Sequence, residues 1–311
     1  APPVSKKRWH RHWKKQQTRR IKTAIMDIHN LTAKERKKIH TWLRALIQLL
    51  YFIFIPSVYT AAFAGVKYIF TQIGAGEKVA MTSFVTVLLV ICLYTMVFGR
   101  FFCGFACAFG TFGDALHTLY IKSCKKLKKK PVKIPEKAVG ILGYMKYLVL
   151  LLIVLLCYSG VYGKAQGTSP WDVFSMIHAG NFRLGGYGIG LLILFLLMAG
   201  MCVQERFFCR FFCPMGAVFS LMPVLPFSVI KRNRENCIPN CKACNLVCPA
   251  NLEIPSDKEG DNATSGECFS CGKCIGKCPK QNTHNGFLGK LWLPMLVGKA
   301  VILFVIFRIL Y

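Results

Sequence analysis

Uncharged apolar runs alternate along the chain with basic segments, and the runs have the length of bilayer-crossing helices. Residues 45–66 lie without a charge between Arg44 and Lys67, and residues 79–98 between Lys78 and Arg100. A third run covers about 141–163, with Lys146 near its start, where a long side chain can snorkel toward the interface. Residues 184–203 follow Arg183, and 291–311 are apolar except for Lys299 and Arg308. A spanning helix needs about 20 apolar residues, so the pattern predicts five spans. For 291–311 a helix lying in the interface is the alternative. The first 44 residues are polar and basic, so no cleaved signal peptide is expected.

Two more apolar stretches, 101–121 and 211–230, are separated from the spans by charge. Residues 1–44 hold 14 Lys/Arg against two acids, and 122–137 hold eight lysines. Both segments should stay cytoplasmic, because basic loops resist export. Two spans between them satisfy this; a third at 101–121 would export the lysines. Lys231, Arg232 and Arg234 make the same case against 211–230. Pro214, Gly216, Pro223 and Pro226 also suit a broken, re-entrant helix.

Composition agrees with a membrane protein. Of 311 residues 54% are hydrophobic and 17% charged, more apolar than a soluble domain. The net charge of +28 reports topology and contact with anionic lipid rather than nucleic-acid binding.

The sequence repeats itself. Gly99-Arg100-Phe101-Phe102-Cys103 leads to Cys107 and Gly110, and Arg206-Phe207-Phe208-Cys209 leads to Cys213 and Gly216. Both cysteines recur at an offset of 106 residues. Each unit leaves the cytoplasm and returns to it, which predicts two parallel halves related about the membrane normal. The fold class expected is a mainly α membrane protein: a bundle of two parallel repeats with two re-entrant half-helices, carrying a ferredoxin-like module. The domains expected are a basic arm (1–44), repeat 1 (45–121), a Lys-rich loop (122–137), repeat 2 (138–230), a double 4Fe-4S module (231–290) and a C-terminal helix (291–311).

Twelve of the 16 cysteines fall into patterns. Cys237-x3-Cys241-x2-Cys244-x3-Cys248-Pro249 precedes Cys268-x2-Cys271-x2-Cys274-x3-Cys278-Pro279. The second run is that of bacterial ferredoxins, in which the fourth cysteine serves the other cluster. One 4Fe-4S cluster is therefore assigned to Cys237, Cys241, Cys244 and Cys278, the other to Cys248, Cys268, Cys271 and Cys274. Structural zinc is the alternative, although zinc ribbons lack the trailing Cys-Pro. In the repeats, Cys103/Cys107 and Cys209/Cys213 have the i,i+4 spacing of one helix face. Four soft ligands suit a third iron–sulfur centre; a redox dithiol and plain packing of buried thiols stay open beside it. Cys92, Cys124, Cys157 and Cys202 are expected to pack.

These pieces together resemble the NapH/NosR/CcoG-type membrane polyferredoxins over roughly residues 45–290. The first motif departs at Ala108, where Pro is usual. The resemblance implies an inner-membrane, multi-pass electron carrier with two cytoplasmic 4Fe-4S clusters, working beside other redox subunits. It links such chains to quinol oxidation, to flavin or reductase partners, or to metal reduction; a flavin would come from another chain.

Other chemistry is thin. No histidine falls inside an expected span, which disfavours haem. His117 follows Asp114 on one helix face and could shuttle protons with it, a surface polar pair being the alternative; in the outer loop that also holds His178, Trp171 and Phe174 read as an aromatic belt at the interface, with a quinone or partner contact as the alternative. Three functions follow: a one-electron relay within an oxidoreductase complex, an enzyme oxidising quinol or reducing metal ions in its own right, and an assembly anchor or regulator with structural clusters.

Overall fold

The computed structural model describes residues 32–132, 134–183, 185–225, 228–256, 266–285 and 292–310; most of the basic arm lies outside them. The protein is mostly helical. Helix α1 (Ala33–Phe54) starts at a capping box, in which Glu35 N donates to Thr32 Oγ1 at 3.3 Å and Thr32 N donates back to Glu35 Oε2 at 2.9 Å. Pro56 follows its end, and α2 (Val58–Gly74) leaves at a bend of 62°. The expected first span is therefore a bent pair. Helix α3 (Ser83–Phe98) stops at Gly99, whose φ of +70° is the left-handed conformation glycine accepts.

A π-helical turn (Phe102–Ala106) and α4 (Ala108–Lys126) follow. Then come α5 (Glu136–Leu142), α6 (Met145–Tyr158), a 3-10 turn (Tyr162–Thr168), α7 (Pro170–His178) and α8 (Gly188–Val203). The matching stretch of the second repeat is α9 (Phe207–Phe211) and α10 (Pro214–Ser220). In the last third, β1 (Ile230–Arg232) pairs antiparallel with β2 (Thr283–Asn285) around the short helices α11 (Ala243–Leu246) and α12 (Lys273–Lys277). Helix α13 (Trp292–Leu310) closes the chain.

Residues 138–158 and 292–310 are helices long and apolar enough to cross a bilayer, and the bent α1–α2 pair makes a third candidate. Helices α3 and α8 are apolar but have 16 residues each, a rise of about 24 Å against a hydrocarbon core of about 30 Å. Leu89 and Leu93 on α3, Leu148 and Leu152 on α6, Leu192 and Phe195 on α8 and Val301 and Ile309 on α13 are all exposed. Such an apolar exterior suits lipid rather than water. Helix α13 is fastened inward: Tyr51 Oη donates to Ala300 O at 2.6 Å and Tyr94 Oη to Lys299 O at 2.9 Å.

Two side chains differ from expectation. Lys146 does not snorkel; it is buried and paired with Glu267 of the cysteine-rich module. Trp171 is no interfacial residue either. Helix α7 folds back among the bundle helices, with Trp171 against Phe63 at a ring distance of 5.1 Å and Phe174 against Phe109 at 4.6 Å.

Candidate metal centres

The two C-x3-C pairs arrive by the same backbone path. Cys107 N donates to Phe102 O at 3.0 Å and Cys213 N to Phe208 O at 2.9 Å, each a five-residue step. Such π turns concentrate at functional sites. Cys107 (φ −67°, ψ 118°) and Cys213 (φ −73°, ψ 113°) then break the helix and cap the next one. The chain bends alike at both, although Ala108 stands where Pro214 does in the second half. Cys213 Sγ accepts from Gly216 N at 3.1 Å. The regular i,i+4 helix face expected from sequence is thus a widened turn ending at the second cysteine.

The four thiols converge. Cys103, Cys209 and Cys213 all act electrostatically on Cys107, and Cys103 and Cys209 on Cys213. All four are buried. Tyr59, unremarked in the sequence, brings its hydroxyl to 3.7 Å from Cys213 Sγ.

Two arginines enclose this site, each three residues before the first cysteine of its repeat. Arg206 donates to Cys103 O, to Gly104 O at 2.8 Å and to Asp114 at 2.5 and 2.9 Å. Asp114 also takes Arg44 at 2.7 Å. Burial works to raise the Asp114 carboxyl, but Arg206 and Arg44 outweigh it and hold it below the usual carboxylate range. Asp114 is therefore committed to ion pairs, and His117 bonds Cys202 O at 2.9 Å, so the two do not form a shuttle. Arg100 reaches Glu267 at 3.5 Å and Gly266 O at 3.1 Å. The repeated R-F-F-C was the sequence signal for both arginines.

In the module, Cys248, Cys268, Cys271 and Cys274 form a second mutually interacting group. Burial pushes the Cys268 thiol up to about 12, with Cys271 and Cys248 adding to it, so a metal there must displace protons. Of the remaining four, Asn282 ties Cys278 to the segment that carries Cys237. Its backbone N donates to Cys278 Sγ at 3.3 Å and its side chain to Asn236 O, beside Cys237. Arg232 reaches Cys244 Sγ at 3.5 Å, and the backbone N of Cys241 bonds Ile238 O at 3.1 Å. Among the described residues no three His, Cys, Asp or Glu side chains close around a single-ion point. Cys92, Cys124 and Cys157 are buried and Cys202 half-buried, as packing residues would be.

The module presses against the repeat site. A Cβ on Gly104 would stand 2.5 Å from Phe269 O and 3.7 Å from Cys271 Cα, so this glycine permits the contact. The buried Phe269 ring lies under Arg100 at 5.0 Å and near Arg206 at 5.9 Å.

Cysteine groups of this make-up on a helical apolar scaffold define a ferredoxin-type membrane protein of electron transport. A family described as a 4Fe-4S binding domain matches the chain twice, at 80–130 and 187–233, once per repeat. An uncharacterized protein of Methanocaldococcus jannaschii is 30% identical over 232 residues, 74% of this chain and 88% of its own length. The methylamine utilization ferredoxin-type protein MauN of Paracoccus denitrificans is 32% identical, covering 62% of this chain and 65% of MauN. The ferredoxin-type protein NapH of Escherichia coli is 24% identical, over 67% and 69%. No solved structure matches. The chain belongs to the NapH/NosR-type membrane polyferredoxins.

Proposed function

We propose that the protein is a one-electron relay across three iron–sulfur centres. Cys237, Cys241, Cys244 and Cys278 hold one 4Fe-4S cluster, Cys248, Cys268, Cys271 and Cys274 a second, and Cys103, Cys107, Cys209 and Cys213 a third centre at the membrane. Bound iron–sulfur groups supply one-electron carriage, with potentials tuned by burial and hydrogen bonds to sulfur. The observation that carries the reading is the Gly104–Phe269 contact, in which the turn between Cys103 and Cys107 meets the backbone at Cys271. The family match to both C-x3-C repeats supports it as well.

The architecture that goes with this has five spans in two parallel repeats, with the domain boundaries expected from the sequence. The N-terminus, the Lys-rich loop and the module face the cytoplasm from the inner membrane. Partners are other redox subunits, a flavoprotein among them, and the quinone pool. Cys209→Ser tests the relay. In anaerobically purified protein it should abolish electron transfer and remove one centre by EPR and iron count, leaving roughly eight irons in the module from cluster stoichiometry. A wild-type chain that already holds only those irons would overturn the third centre.

A second reading has one specific support. A cavity of about 300 Å³ lined by Tyr59, Phe109, Trp171 and His178 opens beside Ala108, next to Cys107. Such an apolar space with a few polar groups suits a small lipophilic substrate. Turnover of quinol by the purified chain without partners would favour an enzyme over a relay.

A further inference from the structure

We propose that Arg100 and Arg206 form a counter-charge pair that neutralises a dianionic centre at Cys103, Cys107, Cys209 and Cys213 and thereby raises its reduction potential. The inference rests on the metal-centre reading of that site. It begins from an exchange between the halves. A Cβ on Gly110 of repeat 1 would collide with Arg206 Nη1, and one on Gly216 of repeat 2 would meet Arg100 Nη2 at 3.1 Å. Each half leaves out a side chain where the other half's arginine lies. The R-F-F-C-x3-C-x2-G pattern is therefore a reciprocal fit, and both guanidinium groups are held at the four thiols. Arg100 acts on Cys103 and Cys213, and Arg206 on Cys209.

The charges around the site do not balance within the described protein. Arg206 and Arg44 share Asp114, while Arg100 and Lys146 share Glu267. Glu205, at 3.9 Å from Arg44, is paired with Lys273. Each of these half-buried acids thus faces two cations, and three acids against five cations leave a formal surplus of two positive charges beside the cysteines. Arg100 is 1% exposed and Arg206 2%. Arg100 Nε and Nη2 are buried without a hydrogen-bond partner among the described residues.

Buried charge without compensation is costly, and four neutral thiols or two disulfides would supply none. Four thiolates around an iron–sulfur core of about +2 form a dianion, which matches the surplus. One added electron makes that group a trianion, and the fixed positive charges reduce the cost of adding it. Arg100 and Arg206 are in this sense positioning and tuning residues; they take no part in bond making.

The test is an EPR-monitored redox titration of full-length protein in lipid nanodiscs, comparing wild type with Arg100→Gln and Arg100→Lys. Arg100→Gln should lower the midpoint of the membrane centre by at least a tenfold change in its reduction equilibrium, about 59 mV for one electron. Arg100→Lys keeps the charge and should recover most of that shift. Should Arg100→Gln fail to hold the centre, iron per chain should fall in it and be retained in Arg100→Lys, while the module's irons persist in both. An unchanged midpoint with full iron in Arg100→Gln overturns the charge pairing alone, as does a lysine variant that behaves like the glutamine one. A wild type with no centre at the repeats overturns the metal-centre reading, and the pairing with it.

Discussion

In the 231–290 module the cysteines are delivered by two short loops, and turns such as Cys237 N to Arg234 O at 3.1 Å and Cys248 N to Asn245 O at 3.1 Å set their spacing. At the repeats the four thiols come from two helix breaks 106 residues apart, met by a tyrosine from α2 and by an arginine from each half. The module's groups are polar, local and partly exposed; the repeat site is closed, apolar and assembled only by tertiary packing. Local turns fix one kind of site. The other kind depends on two buried ion-pair clusters, and so it should be the more fragile of the two.

The largest effect that separates them is expected from Cys209→Ser, set out above, which empties the membrane site and spares the module. The reciprocal change, Cys271→Ala, should lose roughly four irons per chain, by cluster stoichiometry. Zinc in place of iron in the wild type would break the comparison at its root, because the module would then be a structural site.

Asp114→Asn comes next. It leaves Arg206 and Arg44 buried without their acid, which should cost about 3–5 kcal/mol. Thermal unfolding in detergent reads this, and a loss below 1 kcal/mol would mean that the ion pairs are dispensable. Gly104→Ala is a smaller perturbation, about 1–3 kcal/mol of overpacking against Phe269 O. It should loosen the module from the bundle and slow electron exchange between the two regions, seen as faster proteolysis of 231–290 and slower reduction of the membrane centre. Tyr59→Phe should have the smallest effect, about 1 kcal/mol for one hydrogen bond to sulfur. Iron content should stay whole, and only the EPR line shape or midpoint of the membrane centre should move. Apart from these, a reporter at Lys130 should read cytoplasmic, and an outer-face signal there would invert the orientation assigned to both regions.

The module's cysteine pattern was legible in the sequence because each run of four lies within a dozen residues and ends in Cys-Pro. Apolar length found the helices over 138–158 and 292–310 that are long enough to cross a bilayer, whereas the 62° bend at Ile55–Ser57 divides another run and the runs around 83–98 and 188–203 form shorter helices. The membrane site was legible only in part. The repeat located its cysteines, but a linear pattern cannot say that Arg100 belongs to Gly216 and Arg206 to Gly110. Nor could Lys146 be read as an ion-pair partner, since Glu267 lies in another segment of the chain. Trp171 was misplaced for a similar reason: the 20-residue loop 164–183 contains enough chain to turn back inward, and hydropathy does not tell folding back from lying at the interface.

The closure of Gly104 against Phe269 also fixes a timetable. A ribosome releases Cys103 and Cys107 first and Cys209 and Cys213 much later, and the wall formed by Phe269 later again. Until that last segment is made and docked, the four thiols lie at an open end of a half-built bundle, accessible from the side where the module will settle. Once it docks, little room remains for a loading protein to pass. On the three-centre reading, the interval between completing the second repeat and docking the final segment would be the moment for metal delivery, and a chain docked too early would be sealed empty.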